Sequence, residues 1–124
     1  MPDYQKSPGV PPKPVAVVNI SNPATGEAVA AVPMLLDSGA DMSVLPLFVT
    51  KRLNLQVTKQ YQICDFNGNT HVLSAFHAAI QLEGRKYIGV YLAQDDMSGI
   101  VGRDLLNEFR LILDGPKLVW EISH

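Results

Sequence analysis

Short apolar runs recur along the chain and are separated by turn-forming residues. The first two are residues 15–20, which are rich in valine, and residues 28–36, which are rich in alanine and valine. Asn22-Pro23 and Thr25-Gly26 lie between them and are typical of a turn. Apolar runs of this length, bounded by Gly, Pro and Asn, predict an antiparallel pair of strands.

The rest of the chain continues this pattern. Further strands are predicted over residues 56–64, 70–82, 86–92, 110–113 and 117–122. Asn67-Gly68 predicts a type I′ hairpin turn, in which both residues take positive φ, and Glu83-Gly84-Arg85 and Asp114-Gly115-Pro116 mark two more turns. Helical spacing predicts one or two short helices, over residues 47–53 and 103–109. The pattern predicts a mainly β protein, either a closed barrel or a sandwich.

The first fourteen residues differ from the rest in composition, because five of them are proline. Such a segment favours extended backbone without a packed core. We therefore expect a flexible proline-rich N-terminal tail over residues 1–14 and one folded domain over residues 15–124. A chain of 124 residues is long enough for one such domain with its own core.

Charge and composition argue against several kinds of partner. The net charge is −2 without a basic cluster, so no nucleic-acid partner is expected. No apolar run reaches the about 18 residues of a membrane span, and the first residues lack the apolar segment of a signal peptide. Cys64 is the single cysteine, and no Cys/His spacing suggests a metal. We expect an intracellular, cytoplasmic protein without a metal or another cofactor.

One stretch carries the candidate chemistry. The apolar residues 32–36 end on Asp37, which is followed by Ser38, Gly39 and Ala40. A buried carboxylate is costly unless it is hydrogen-bonded, and three small residues allow a tight loop whose backbone N–H groups reach it. Gly39 also gives backbone freedom and room for a substrate. The alternative is a strand that ends in a polar turn, with Asp37 as its cap.

Three segments together resemble a known family. Leu-Leu-Asp-Ser-Gly-Ala-Asp at residues 35–41, a glycine-bearing hairpin, and Ile-Val-Gly-Arg-Asp-Leu-Leu at residues 100–106 are similar to the retroviral-type aspartic proteases, the retropepsins. The resemblance covers residues 15–122. It implies a retropepsin-type closed β-barrel with one or two short helices, in a homodimer that hydrolyses peptide bonds.

The resemblance assigns roles to the acidic loop. Asp37 is the implied catalytic carboxylate, and Ser38, Gly39 and Ala40 support its loop. The hydroxyl of Ser38 would brace the two catalytic loops against each other. Gly39 would bring its backbone next to the substrate, and it would form the floor of the binding site together with Asp41.

Two further features follow from the same resemblance. Asp41 is implied to form a structural ion pair with Arg103 near the dimer contact, where a buried pair would fix geometry more than add stability. The hairpin that contains Phe66, Asn67 and Gly68 matches the flap that covers the substrate. The C-terminal pair of strands resembles a hairpin that some relatives use to join two chains.

The chemistry itself predicts a dimer. Aspartic protease chemistry needs two carboxylates that share a proton and activate one water. The sequence holds a single Asp-Ser-Gly, so Asp37 of each of two copies must meet on a two-fold axis. The expected partners are a second copy of the chain and a polypeptide substrate.

Other interpretations remain open at this point. A catalytically silent retropepsin-fold module would dimerise or bind peptides without cleaving them, and a structural β domain would be monomeric. A Ser/His/Asp site that uses Ser38 or Ser43 is disfavoured, because no Gly-x-Ser-x-Gly pattern appears. His71 and His77 are more simply explained as strand residues, and Cys64 as a strand thiol.

Overall fold

The computed structural model describes residues 1–64 and 66–124. Within them the chain forms eleven strands and two short helices. In order these are β1 (Gln5–Ser7), β2 (Val10–Lys13), β3 (Val15–Ser21), β4 (Ala28–Leu36), β5 (Val44–Pro46), α1 (Leu47–Arg52), β6 (Val57–Cys64), β7 (Thr70–Leu82), β8 (Arg85–Gln94), β9 (Gly99–Val101), α2 (Arg103–Leu106), β10 (Arg110–Asp114) and β11 (Val119–Ser123). Among the described residues, no helix is long and apolar enough to cross a bilayer.

The main sheet closes on itself. Its strand order is β3-β4-β9-β5-β8-β7-β6, and an additional pairing of β3 with β7 joins the two sides of the sheet into a ring of six strands. β6 lies outside the ring. Among the described residues it pairs with β7 and with no other strand, so that the two form a hairpin beyond the ring. The expected mainly β closed barrel with one or two short helices is confirmed, and the described part of the structure has two helices.

Alternation along the strands explains which side chains fill the barrel. In β3 the side chains of Ala16, Val18 and Ile20 are buried, whereas Val17 and Asn19 are exposed. The period of two puts one face of the strand inside and the other in solvent. The largest completely buried side chains come from distant segments and meet in one core: Trp120, Ile20, Met34, Leu45, Ile80 and Leu82.

The turns between β6 and β7 and between β7 and β8 differ in their backbone conformation, and the sequence did not indicate which of them is of type I′. The prediction of a type I′ turn at Asn67-Gly68 is wrong, since Gly68 alone among the described residues of that connection takes positive φ (+81°). Cys64 pairs with Thr70, so the connection is five residues long. The type I′ pattern occurs instead at Glu83-Gly84, where both φ values are positive and Leu82 pairs with Arg85.

The N-terminal segment, for which a flexible proline-rich tail was expected, contains two short strands. β1 and β2 pair as a small antiparallel hairpin. Residue Pro14 then accepts a hydrogen bond from the backbone N–H of Leu36 (3.0 Å). Before the hairpin, the backbone of Tyr4 donates to the carbonyl of Leu118 (2.8 Å). The segment therefore packs against both the start and the end of the domain; its flexibility in solution stays a prediction.

An aromatic side chain covers a glycine in the middle of β8. The Tyr91 hydroxyl donates to the carbonyl oxygen of Tyr87 (2.8 Å), and the ring passes over Gly89 on the way. A Cβ at Gly89 would lie 3.2 Å from that hydroxyl oxygen. Burial of the phenol, followed by the nearby charge of Asp104, raises the pKa of Tyr91 above its ordinary value of about 10.

This shift predicts a pH-dependent contribution to stability. Below about pH 10 the phenol is neutral in both folded and unfolded chains; above it, the unfolded chain loses the proton first and folding stability falls. We expect Tyr91→Phe to cost about 1 kcal/mol near pH 8 through the lost hydrogen bond, and the gap between wild type and variant to shrink at pH 11. Urea unfolding at both pH values measures the gap. A gap that is the same at both values would contradict the prediction, and Tyr61→Phe is the matched control.

Candidate active site

The pairing of two strands brings the acidic loop to its position. β4 and β9 run parallel, with Leu35 opposite Ile100 and Leu36 opposite Val101. The backbone N–H of Asp37 continues the pairing and donates to the carbonyl of Val101 (3.0 Å). Asp37 is thus held at the end of an interior strand, where its side chain is half-buried.

The loop after β4 folds around the carboxylate as expected. The backbone N–H of Gly39 donates to Oδ1 of Asp37 (2.9 Å), and that of Ala40 donates to the Asp37 carbonyl (3.2 Å). A Cβ at Gly39 would lie 3.1 Å from the same carboxylate oxygen, so a larger residue would crowd it. One carboxylate oxygen is therefore fixed by the loop, and the loop stays open on the side of Gly39, which is exposed.

Arg103 connects this loop to the segment of residues 100–106, the second segment that carries the family resemblance. Its backbone N–H donates to the carbonyl of Ala40 (2.9 Å), and its Nη1 donates to the carbonyl of Ser38 (2.8 Å). Its Nη2 forms an ion pair with Asp41. The predicted Asp41–Arg103 pair is present, but the side chains are 84% and 43% exposed, so within one chain it orients the loop and adds little stability.

A hydrogen-bond network that links the buried Ser43 to Asp104 was missed by the sequence analysis. Ser43 is completely buried, and its hydroxyl donates to Oδ1 of Asp104 (2.7 Å) while accepting from the backbone N–H of Gly102 (3.0 Å). The backbone N–H of Ser43 also donates to the Asp104 carboxylate (3.0 Å). Asp104, an exposed residue in the first turn of α2, thereby joins the segment after Asp37 to the segment of residues 100–106.

Removing this network is expected to destabilise the fold around the site. Asp104→Ala leaves the buried N–H and hydroxyl of Ser43 without their acceptor, and each such group costs about 1–3 kcal/mol. Asp104→Asn keeps one acceptor oxygen and should lose less. The free energy of unfolding in urea measures both variants. Glu108→Ala, which removes an exposed carboxylate from the turn after α2, is the control, and a loss as large as that of Asp104→Ala would contradict the prediction.

The predicted flap is the hairpin of β6 and β7. Phe66 is fully exposed near its tip, and Asn67 and Gly68 follow it, also exposed. Asp65, which precedes Phe66 in the sequence, lies outside the described residues. At the base of the flap, β5 and β9 meet where Val44 pairs with Ile100. Both of these side chains are half-buried and give the floor an apolar lining beside the Asp37 loop.

The competing chemistries find less support. Ser43 is buried and hydrogen-bonded to Asp104, which leaves it inaccessible as a nucleophile. Within residues 1–64 and 66–124, no group of three or more His, Cys, Asp or Glu side chains is arranged to hold a metal ion. A half-buried carboxylate in a tight loop, such as that of Asp37, can accept a proton from water or donate one, but each chain supplies only one Asp37.

Known structures resemble this chain over most of its length. The EIAV protease complexed with the inhibitor HBY-793 is 26% identical to it, with a TM-score of 0.56; the match covers 83% of this chain and 93% of that chain. The chain is retropepsin-like. The solution structure of the simian foamy virus (mac) protease matches with a TM-score of 0.57 and 15% identity, over 73% of this retropepsin-like chain and 89% of that chain. At this low identity the match is evidence for the fold and not for the function.

Comparison of the sequence alone finds no relative, in contrast to comparison of the structure. No family model and no curated protein matches the retropepsin-like chain. The resemblance to retropepsins noted in the sequence is confirmed by the match to the two protease structures. The loop at Asp37 and the segment at Arg103, which carried that resemblance, lie together in the fold.

Proposed function

We propose that the protein is a homodimeric aspartic endopeptidase. The observation that carries the proposal is the position of Asp37, half-buried at the end of β4 with one oxygen fixed by the Gly39 amide. Arg103 and the Ser43–Asp104 network hold the loop from both sides. A carboxylate fixed in this way, on a retropepsin-like fold, is suited to act in water activation.

The reaction requires a second carboxylate. Two like charges a few ångströms apart do not both ionise easily, so a pair of Asp37 side chains keeps one proton. The ionised member takes a proton from the attacking water, and the protonated member donates to the carbonyl oxygen of the scissile peptide bond. Each chain supplies one Asp37, and the site is complete only when two copies meet.

The substrate is an extended polypeptide. A peptide in the cleft would lie between the flap and the floor and pair as an additional strand, which is a common way to bind extended chains. Phe66, Asn67 and Gly68 contact it from the flap side, and Gly39 and Asp41 from the floor. The apolar lining at the base of the flap favours apolar side chains next to the scissile bond.

Dilution of the enzyme tests the proposal. A peptide library is incubated with the protein over a range of protein concentrations, and the oligomeric state is measured on the same samples. Specific activity should fall in proportion to the loss of dimer, because a monomer holds half a site. A dimer that cleaves no peptide would favour the silent module, and full activity in a pure monomer would contradict the shared site.

A further inference from the structure

One edge of β8 is covered along only part of its length. On one side β8 pairs with β7 over residues 85–92, without a shift of register. On the other side it pairs with β5 over residues 92–94 alone. The backbone N–H of Leu92 donates to the carbonyl of Ser43 (3.2 Å) on this second side, so the backbone of Leu92 faces away from β7.

The backbone groups of three further residues face the same way. Hydrogen-bonded and non-hydrogen-bonded pairs alternate along an antiparallel ladder. Counted back from Leu92, the alternation directs the N–H and C=O groups of Lys86, Ile88 and Val90 away from β7. Among the described residues, no strand pairs with this stretch of β8 on that side. The edge is therefore open over residues 86–90.

A groove of about 440 Å³ runs along the open edge. One wall is the strand itself, residues 86–91, and the other is formed by Asp104, Leu105 and Glu108, in α2 and the turn after it. The groove is separate from the candidate active site, because no residue of the Asp37 loop or of the flap lines it.

The α2 wall carries negative charge at two points. Phe109, the residue after Glu108, packs near the ring of Tyr87 with 6.3 Å between the ring centroids, which places Glu108 towards the start of β8. The charge of Asp104 acts on Tyr91, towards the end of the strand. Both acidic residues are exposed. An occupant of the groove therefore meets two carboxylates on the same wall, which favours an occupant with positive charge.

The open edge itself has the pattern of a strand-binding site. Its free backbone groups recur at every second residue, which is the repeat of an extended chain. The side chains of Ile88 and Val90 are 63% and 38% exposed, and both are β-branched. An unpaired edge of this kind is a template for another strand, and an extended polypeptide binds it through main-chain hydrogen bonds.

We propose that the groove between β8 and α2 binds an extended basic segment of a partner protein, which adds to β8 as a strand. Residues of the segment opposite Ile88 and Val90 are β-branched, because such residues pack well in cross-strand pairs. Alternate residues point to the α2 wall and are Lys or Arg. The proposal does not depend on the peptidase activity.

A second copy of the chain fits this groove less well. Two β8 strands paired about a two-fold axis perpendicular to the sheet keep the same face of the sheet on the same side. Both copies of α2 would then lie over the new strand pair and compete for the one groove. A single extended segment brings no such wall of its own.

The arrangement specifies a probe peptide, acetyl-Val-Lys-Val-Lys-Glu-amide. In antiparallel pairing its first, third and fifth residues lie opposite Val90, Ile88 and Lys86, so that the glutamate meets the lysine. Its second and fourth residues lie opposite Gly89 and Tyr87, and these two lysines point to the α2 wall with its carboxylates.

Binding of the fluorescently labelled probe is measured by anisotropy on the full chain with Asp37→Asn, so that cleavage plays no part. Glu108→Lys in this background should weaken binding about fivefold or more, because an attractive pair becomes a repulsive one. Glu27→Lys makes the same exchange at an exposed turn residue that does not line the groove, and should bind like its parent. The unfolding midpoint of each variant is recorded. Absence of binding, or equal affinities for both variants, would overturn the proposal.

Two further measurements separate strand addition from attraction by charge alone. A probe with an N-methyl group on its third residue loses a hydrogen bond to β8 and should bind about tenfold more weakly, whereas N-methylation of its second residue, whose N–H points away, should be tolerated. Hydrogen exchange should slow at the amides of Ile88 and Val90 and stay unchanged at Gly89, which already faces β7. Equal effects of both methyl groups, or slowing at Gly89 alone, would exclude the added strand. These readouts follow binding only, so a protein that cleaves no peptide leaves this inference standing.

Discussion

Replacing Asp37 by Asn is expected to lower kcat/KM by about 10²- to 10⁴-fold, the range that general acid–base groups contribute. An amide cannot take a proton from water, and two such amides cannot share one. The Asn side-chain oxygen can still accept the hydrogen bond from the Gly39 amide, so the loop should keep its shape. Initial rates on a cleaved library peptide measure the loss, with the oligomeric state and unfolding midpoint recorded alongside.

The matched control changes another acid in the same way. Asp95 lies exposed in the loop between β8 and β9, and Asp95→Asn makes the same chemical substitution away from the Asp37 loop. It should retain its rate. Peptidase activity that survives in Asp37→Asn would remove the basis of the proposed mechanism, and loss of the dimer in that variant would point to a structural role for the carboxylate.

Replacing Gly102 by Ala is expected to damage the site and the fold together. A Cβ there would lie 2.6 Å from the carbonyl carbon of Met42, 2.7 Å from its oxygen and 3.0 Å from the carbonyl oxygen of Ala40. These are backbone atoms of the segment that follows Asp37, so they move only if the Asp37 loop moves. Overpacking of this kind costs about 1–3 kcal/mol, and more where backbone must shift. Thermal unfolding measures the loss.

Gly115→Ala is the control for the same substitution. No atom lies within 4 Å of a Cβ built at Gly115, which sits in the turn between β10 and β11. Its unfolding midpoint should stay close to that of the wild type. If Gly102→Ala also kept the unfolding midpoint of the wild type, the tight packing of Gly102 against the backbone of Ala40 and Met42 would be disproved.

Much of the fold was predictable because its longer strands are local features. Ala28–Leu36 and Thr70–Leu82 were predicted with the bounds that the structure gives them. The first is a continuous apolar run, the second is a mostly apolar one, and clear turn signals lie next to both. The three-residue strands Val44–Pro46 and Gly99–Val101 were not recognised as strands. Their pairings join segments that are distant in sequence and include parallel ones, which local patterns do not encode.

The site was predictable to the extent that its residues carry a motif. Asp37, Asp41 and Arg103 belong to recognisable segments, and the structure brings these segments together. Ser43 has no such signal, because a serine near a loop is common and its partner Asp104 lies 61 positions away. The available clue was an acid directly after Gly-Arg in a segment already suspected of contacting the Asp37 loop.

The contacts between the two loops have a consequence for how the chain folds. Ser38 and Arg103 are 65 positions apart, and Ser43 and Asp104 are 61 apart. Contacts between residues so distant in sequence form slowly, because the long intervening chain must lose conformational entropy before the contacts stabilise the fold. The geometry around Asp37 should therefore appear among the last events of folding, after the local hairpins, and the proposed site would stay incomplete until the barrel has closed.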